Sequence, residues 1–538
     1  MIDIPKHNLI EMFRTVAAEH HNQPATFFKG KFKTYAEIET EINKMANGLR
    51  KLGVKKGDRV AVYLPNSPQF LVTFFAVQSL GAIFTAFNPL YSAREIKERL
   101  NDAEPKVFVT LDMFLDKVKK IKEDITVEHI IVTSVARELP TVKKHLYKLI
   151  TARKKQTLPG SLNYSEVLAS GENKPINTII DNEHDVAVLQ YTGGTTGTSK
   201  GAMLTHKNLI AQTAVLQYWK SKLEKQPEGQ IKIAGVLPYA HIFGLTSSFL
   251  WPVSEGAAIY LVPDPRQLEE VMKLIDKYRI HFLYCVPVFF QKFASHKHIS
   301  KYDLSSIHLS ISGGESLPKQ TVDIYEKKTG SLLIEGYGLT EASPVTHVNP
   351  PTKKHRKIGS IGVTVPNTKA KIINPETDRE INTPGVPGEL WVKGPSVMKG
   401  YWHNKEETED TLKEGWLRTG DIASQSPEGY FKILDRLKDM IIVSGFKVWP
   451  NEVEDILLTH PSILEAAVIG QKTKLGTKLK AVIVQKPNQK KLSLEEIRAF
   501  CKQELAAYKV PKFVEYREEL PRSSVGKLLR RELRSDAT

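Results

Sequence analysis

Short apolar runs alternate with amphipathic stretches from about residue 8 to residue 265. Arg59–Leu64, Val107–Thr110, His129–Thr133 and Ala257–Val262 are near-continuous apolar runs, and His281–Tyr284 and His308–Ser312 extend the series. Such runs suit strands buried on both faces, and the helical patterns between them predict mostly parallel α/β sheets. The most apolar stretch, Phe70 to Phe87, lies between Arg59 and Arg94 without one charged residue. Its length would permit a membrane crossing. Pro65, Pro68, Gln78, Ser79, Gly81 and Asn88-Pro89 divide it, and predict a buried helix over Gln69–Leu80 followed by a buried strand over Ala82–Phe87.

From Ile358 to about Gly429 the pattern changes. Strands Lys369–Ile373 and Glu389–Lys393 sit among Pro/Gly turns, which predicts a small β subdomain. After Leu434 a helix over Asn451–Leu458 and an alternating strand over Lys478–Gln485 are expected. Ser493-Leu-Glu-Glu496 is a capping box opening a helix to about Leu505. About 100 residues suffice for a small α+β domain. At 538 residues the chain exceeds what one core supports, so two domains are expected, 1–435 and 436–538, joined at the charged Asp435-Arg-Leu-Lys-Asp439.

Composition narrows the setting. Only Cys285 and Cys501 occur, far apart, so a disulfide framework or zinc site is not expected and a reducing cytoplasm is the natural compartment. His20-His21 and His296-x-His298 lack the carboxylate or thiol company of a metal site. The amino terminus, Met-Ile-Asp-Ile-Pro-Lys-His, carries no secretory signal pattern. A net charge of +16 suits anionic partners such as nucleotides, coenzyme A or anionic lipid. Nucleic acid is not expected, since no helix-turn-helix, RRM or zinc-finger pattern is present. The most basic stretch, 143–155, places Leu146, Leu149 and Ile150 on one helical face. It reads as a basic surface helix packing a narrow apolar stripe, with peripheral contact to the inner face of an anionic membrane as the alternative. A monomer or a homodimer is compatible with all of this.

The candidate chemistry begins at Tyr191-Thr-Gly-Gly-Thr-Thr-Gly-Thr-Ser-Lys-Gly201. Gly193, Gly194 and Gly197 let backbone amides turn toward one point. Thr192, Thr195, Thr196 and Ser199 add hydroxyls, and Lys200 a mobile positive charge. Together these suit a polyphosphate. A flexible linker is the plain alternative, but linkers seldom join an apolar run (Val186–Tyr191) to a capped helix opening at Thr205. The spacing satisfies neither G-x-x-x-x-G-K-[ST] nor G-x-G-x-x-G, so neither a Walker A loop nor a Rossmann site is indicated.

This signature instead resembles the phosphate loop of adenylate-forming enzymes, the superfamily of acyl-CoA synthetases, peptide-synthetase adenylation domains and luciferases. Further motifs in the same order extend the resemblance over nearly the whole chain. Glu335-Gly-Tyr-Gly-Leu-Thr-Glu341 is similar to the second signature of the superfamily. It implies Gly336, Tyr337 and Gly338 around the adenine, Thr340 at the α-phosphate and Glu341 as the carboxylate for Mg²⁺. Ser312-Gly-Gly-Glu-Ser316 resembles the adenine-side loop, with Gly313, Gly314 and Glu315; many members carry Ala where this chain has Glu315. Trp416-Leu-Arg-Thr-Gly-Asp-Ile422 implies Asp421 at the ribose hydroxyls. Asp435 to Lys447 resembles the hinge, with Arg436 on the nucleotide, Lys438 as pivot, and Gly445 and Lys447 on the coenzyme A side. Val525-Gly-Lys-Leu-Leu-Arg-Arg531 resembles the catalytic-lysine motif and implies Lys527. His241, in Leu237-Pro-Tyr-Ala-His-Ile-Phe-Gly-Leu245, pairs with Phe243 where the superfamily has a conformationally important His/aromatic pair. The uncharged stretch around it, Gly235 to Ser254, suits the wall of an apolar tunnel.

The resemblance, nearest to long-chain fatty-acid–CoA ligases, implies a multidomain α/β and α+β fold. A large N-terminal domain would hold two α/β sheet subdomains and a small β-barrel-like one, followed by a small mobile C-terminal domain. It implies activation of a medium- or long-chain fatty acid by ATP with Mg²⁺, then thioester formation with coenzyme A. A ligase that passes the acyl group to a carrier protein, and a synthetase for a short, branched or aromatic acid, are the alternatives.

Overall fold

The apolar stretch after Pro68 lies in the main apolar core of the large N-terminal part of the chain. In the computed structural model, which describes residues 1–151, 157–192, 199–443, 446–473, 476–522 and 528–535, Pro68–Ser79 is a helix with every residue buried. Proline supplies its first turn, where a missing N–H costs nothing. Ile83–Ala86 follows as a strand buried at all four positions. Phe74 meets Phe84 and Phe249 edge-on, with ring centroids 4.9 and 5.2 Å apart. A helix apolar all round needs such an environment. Among the described residues no helix is long and apolar enough to cross a membrane.

The chain forms two compact units, Met1–Lys369 with Lys393–Leu417, and Ala370–Val392 with Arg418–Thr538. The boundary expected at residue 435 falls inside the second unit, which also takes in residues 370–392.

The large unit holds two sheets. In the nine-stranded sheet, Leu332–Gly338, Leu309–Gly313, Phe282–Cys285, Lys232–Gly235, Ala258–Leu261 and Pro24–Phe28 run parallel in that order. In the eight-stranded sheet the parallel set is Val186–Thr192, Ile83–Ala86, Arg59–Tyr63, Val107–Leu111, His129–Thr133 and Leu162–Asn163. Lys200–Thr205 pairs antiparallel with Val186–Thr192.

The expected β subdomain at 358–429 is shared out instead of standing alone. Val363–Thr364 pairs onto the edge of the nine-stranded sheet, and Gly400–Tyr401 onto the edge of the eight-stranded one. Lys369–Ile373, Gly388–Lys393, Trp416–Gln425 and Phe431–Arg436 remain as strands of a separate small sheet. Two-residue strands carry too little hydrophobic pattern to reveal which sheet they join.

In the second unit, Ile463–Thr473 and Gly476–Gln485 form an antiparallel pair, and Phe513–Arg517 adds in parallel. Helices Pro450–Leu458 and Leu494–Cys501 supply Val453, Leu457, Ile497 and Cys501 to a core with Val468, Ala481 and Ile483. The Ser493 capping box forms as expected. The helix ends at Cys501, short of Leu505, which reaches the core from the turn that follows. Thr141–Thr151 is a helix. Residues 152–156, and the side chains of Leu146, Leu149 and Ile150 on which the stripe depends, lie outside what is described.

Candidate active site

Strands Lys232–Gly235, Phe282–Cys285, Leu309–Gly313 and Leu332–Gly338 are parallel neighbours, so their carboxyl ends share one edge. Ligands of α/β proteins bind at such edges. Gly313 pairs in register with Gly336, and Ser312 with Glu335. The segments Gly313-Gly314-Glu315 and Gly336-Tyr337-Gly338 therefore emerge side by side. Gly314 takes a left-handed φ of +94°, which a side chain would strain.

The two glycines around Tyr337 differ in kind. A Cβ on Gly338 would lie 2.0 Å from the Pro344 carbonyl oxygen, because the chain folds back there and the Leu339 amide donates to that same oxygen. A Cβ on Gly336 would meet nothing closer than 3.4 Å, an ordinary contact. The Tyr337 ring stands edge-on to His347, with centroids 5.9 Å apart, and remains partly exposed. His347 is fully buried, and desolvation lowers its pKa to about 3, so the imidazole beneath Tyr337 is neutral.

Thr340 and Glu341 sit on a single helical turn, Thr340–Ala342. Gln212 brackets that turn from the helix His206–Ser221. Its amide donates to Ala342 O at 3.2 Å and Val345 O at 2.8 Å, and its carbonyl accepts from Val345 N at 3.3 Å. Thr246 Oγ1 adds a bond to Ser343 O at 3.1 Å. The helix opens where expected, with Thr205 accepting from Asn208 N at 3.3 Å in a capping box. Neither Gln212 nor Thr246 stood out in the sequence. A Gln within the largely apolar run Leu209–Leu216 was the signal in the sequence, and it names no partner.

Gly193, Gly194, Thr195, Thr196 and Gly197 lie outside the described residues. On either side of them, Thr192 pairs in register with Lys200, and Ser199 Oγ donates to Thr192 O at 2.7 Å. Lys200 forms an ion pair with Glu407, and its ammonium stands 5.4 Å from the centre of the Tyr401 ring. The Tyr401 hydroxyl donates to Glu341 Oε1 at 2.7 Å. Burial, and then the adjacent Glu341 carboxylate, raise the Tyr401 pKa far above its ordinary value. Sequence reasoning missed both Glu407 and Tyr401.

His241 caps the short helix Ile242–Leu245, its Nδ1 accepting from Phe243 N at 3.3 Å. The Phe243 ring abuts Gly313, where a Cβ would come within 3.1 Å of it. The His241 segment therefore meets the Gly313-Gly314-Glu315 segment. Asn66, buried and also missed, fixes the preceding turn: it donates to Gly235 O at 2.9 Å and Leu237 O at 2.8 Å, and accepts from Tyr239 N at 2.9 Å. Leu237, Tyr239, Ile242, Leu245, Phe249 and Trp251 then run into the main apolar core. Thr246–Leu250 forms a π-helical turn within this stretch.

The remaining candidates belong to the second unit. Asp421 and Arg436 pair in register, with Arg436 Nε 3.5 Å from Asp421 Oδ1. Thr419 orders the Asp421 backbone, accepting from its N–H at 3.1 Å and donating to Leu390 O at 2.6 Å. Buried Glu389, not anticipated, accepts from Gly420 N at 3.2 Å and Trp391 Nε1 at 2.9 Å. Lys438 is exposed on the turn Leu437–Asp439. Asp435 beside it is buried and accepts from Asn451 N at 2.9 Å and Arg436 N at 2.7 Å, with burial raising its pKa. Lys447 makes an exposed ion pair with Glu376 at 2.5 Å. Gly445 and Lys527 lie outside the described residues. Among the described residues no three His, Cys, Asp or Glu side chains cluster to hold a metal.

A carboxylate on a turn at the carboxyl edge of a parallel sheet suits an α/β enzyme that takes its ligand at that edge. The chain belongs to the AMP-binding enzyme family, whose model matches residues 13–402, with the AMP-binding enzyme C-terminal domain matching 452–527. It is 41% identical to the long-chain-fatty-acid–CoA ligase of Bacillus subtilis, covering 100% of this chain and 96% of that protein. It is 38% identical to the Escherichia coli protein of the same name, covering 98% and 94%. Among solved structures it is similar to the anthranilate CoA ligase AuaEII in complex with anthranoyl-AMP (TM-score 0.87, 27% identity, covering 99% and 97%). It is also similar to ATP-bound MatB from Rhodopseudomonas palustris (TM-score 0.85, 27% identity, covering 98% and 99%).

Proposed function

We propose that this chain is an AMP-forming long-chain fatty-acid–CoA ligase. The observation that carries the reading is the shared strand edge, where the 313–315 and 336–341 segments emerge together with Glu341 tied, through Tyr401, to the neighbourhood of Lys200. Full-length relatives of that name support the choice of acid.

In the first half-reaction a fatty carboxylate oxygen attacks the α-phosphorus of ATP, the bond to the β,γ-pyrophosphate breaks, and acyl-AMP forms. The loop 192–201 holds the departing phosphates. Tyr337 and the segments 313–315 and 336–338 hold adenine, Asp421 the ribose hydroxyls and Arg436 the nucleotide. Thr340 meets the α-phosphate, and Lys527 offsets the charge that develops there. Mg²⁺ carried by ATP would be met by Glu341, a single carboxylate being a fitting protein ligand for an ion that comes with its phosphates, and it would offset charge on the phosphate oxygens.

In the second half-reaction the region after Asp435 turns about Lys438. Lys527 withdraws, and Gly445 and Lys447 come to face coenzyme A. The thiol attacks the acyl carbon, the acyl–phosphate bond breaks, and AMP leaves. His241 and Phe243, against Gly313, border the acyl site, with the apolar stretch 235–254 as its wall.

Pyrophosphate release with and without coenzyme A tests the reading. Turnover on long-chain acids that depends on coenzyme A is expected. Turnover that stops at acyl-AMP in its presence would point to a carrier-protein ligase, and preference for acetate or benzoate would overturn the acid assignment. Lys527→Ala should lower acyl-AMP formation by at least about a hundredfold, while thioester formation from supplied acyl-AMP persists. Equal loss in both halves would remove the role given to Lys527.

A further inference from the structure

The strand Gly400–Tyr401 is two residues long, yet it joins three features of the large unit. It pairs antiparallel with Lys200–Thr205, placing Tyr401 opposite Ala202. Just before it, the Met398 amide donates to the Glu341 backbone carbonyl at 2.8 Å. Tyr401 itself is buried and sends its hydroxyl to Glu341 Oε1 at 2.7 Å. Glu341 is thus held at both its backbone and its side chain by the segment that lies against the phosphate-loop hairpin.

The charges are sorted with equal care. Lys200 stands over the Tyr401 ring, 5.4 Å from its centre, and pairs with Glu407, which lies on the helix Lys405–Thr411. The lysine and Glu341 therefore flank the same aromatic ring without neutralising each other. A lysine bound to Glu341 would cancel the charge that attracts a cation. A neutral hydroxyl fixes the carboxylate and leaves that charge in place.

We propose that Tyr401 is a positioning residue for Mg·ATP: by engaging Oε1 it holds the Glu341 carboxylate in one orientation and leaves Oε2 to meet the incoming cation. A carboxylate pinned by a charge-assisted hydrogen bond has less rotamer freedom to lose when the metal–nucleotide complex arrives. This rests on the reading of Glu341 as the residue that meets Mg·ATP.

Binding of ATP to the full-length chain by calorimetry, without fatty acid, tests it independently of turnover. Each protein is titrated once with Mg²⁺ present and once in EDTA. Tyr401→Phe keeps the ring under Lys200, and its thermal midpoint should match the parent's. It should weaken binding about tenfold with Mg²⁺, the loss typical of a hydrogen bond to a charged group, and leave binding in EDTA unchanged. Glu341→Gln should weaken only the Mg²⁺ arm, and the double variant should bind no more weakly than Glu341→Gln alone. Unchanged Mg·ATP binding in Tyr401→Phe, equal loss with Mg²⁺ and EDTA, or additive losses in the double variant would each overturn the proposal. If Glu341→Gln itself leaves the Mg²⁺ arm unchanged, the reading of Glu341 fails first, and the role of Tyr401 fails with it.

Discussion

The turn that carries Glu341 and the segment that carries Lys438 are built by opposite rules. Around Glu341 the backbone is bracketed by buried Gln212 and by Thr246, and Gly338 leaves no room for a side chain. Around Lys438 the side chains of Lys438, Ile442, Phe446 and Lys447 are exposed, and Lys447 pairs with the surface residue Glu376. A group that meets a metal–nucleotide complex must be held to within a fraction of an ångström. A pivot must give up its contacts at little cost, and surface ion pairs break at little cost.

The largest expected effect tests the rigid side. Gly338→Ala would drive a Cβ to within 2.0 Å of Pro344 O. It should lower stability by about 3 kcal/mol and acyl-AMP formation by about a hundredfold, read by thermal unfolding and pyrophosphate release. Gly336→Ala, whose Cβ meets only ordinary contacts, should leave stability unchanged and serves as the control. Near-normal unfolding and turnover in Gly338→Ala would mean that the 338–344 turn is far softer than its geometry.

A second effect, of comparable size but local in its reach, comes from acid. His206 and His281 are buried with pKa values lowered to about 4, and His347 to about 3, all by desolvation first. A depressed pKa means that the unfolded chain binds the extra protons. The stability these groups contribute is therefore complete above the ordinary histidine value, 6.5, and is lost as pH falls toward the folded values. For His206 alone the loss is about 3 kcal/mol. Peptide-resolved hydrogen exchange between neutral pH and about pH 4 should find early loosening at the start of the helix His206–Ser221 and at the strand Val345–Val348. In a His206→Gln variant the first of these should depend less on pH. Identical pH profiles in parent and variant would refute the assignment.

The smallest effect tests the exposed segment. Lys447→Ala should change stability by less than about 0.5 kcal/mol, as an exposed pair should. Acyl-AMP formation should be untouched and the KM for coenzyme A should rise a few-fold. A rise in the KM for ATP instead would move Lys447 out of the coenzyme A role.

Much of this was legible in the chain itself. The buried helix after Pro68, the parallel strands, the Thr205 and Ser493 caps and the order of the nucleotide motifs follow from local chemistry: apolar runs, capping side chains, and glycines where a turn or close approach needs them. Sequence also singled out Gly338 within its motif, although only the fold separates its steric need from the ordinary contacts a side chain would make at Gly336. The short strands Val363–Thr364 and Gly400–Tyr401 were not legible, because two residues have no period to read.

By itself, then, the sequence determined the class of chemistry and the succession of strands, helices and glycine-rich turns, since those depend on neighbours along the chain. The tertiary structure alone decided which side chains brace the segments that carry those motifs. Tyr401 reaches Glu341 across 60 positions, Gln212 reaches Ala342 across 130, and Asn66 reaches Gly235 across 169. Pairings at such separations are set by how sheets and helices pack, and no local pattern encodes them.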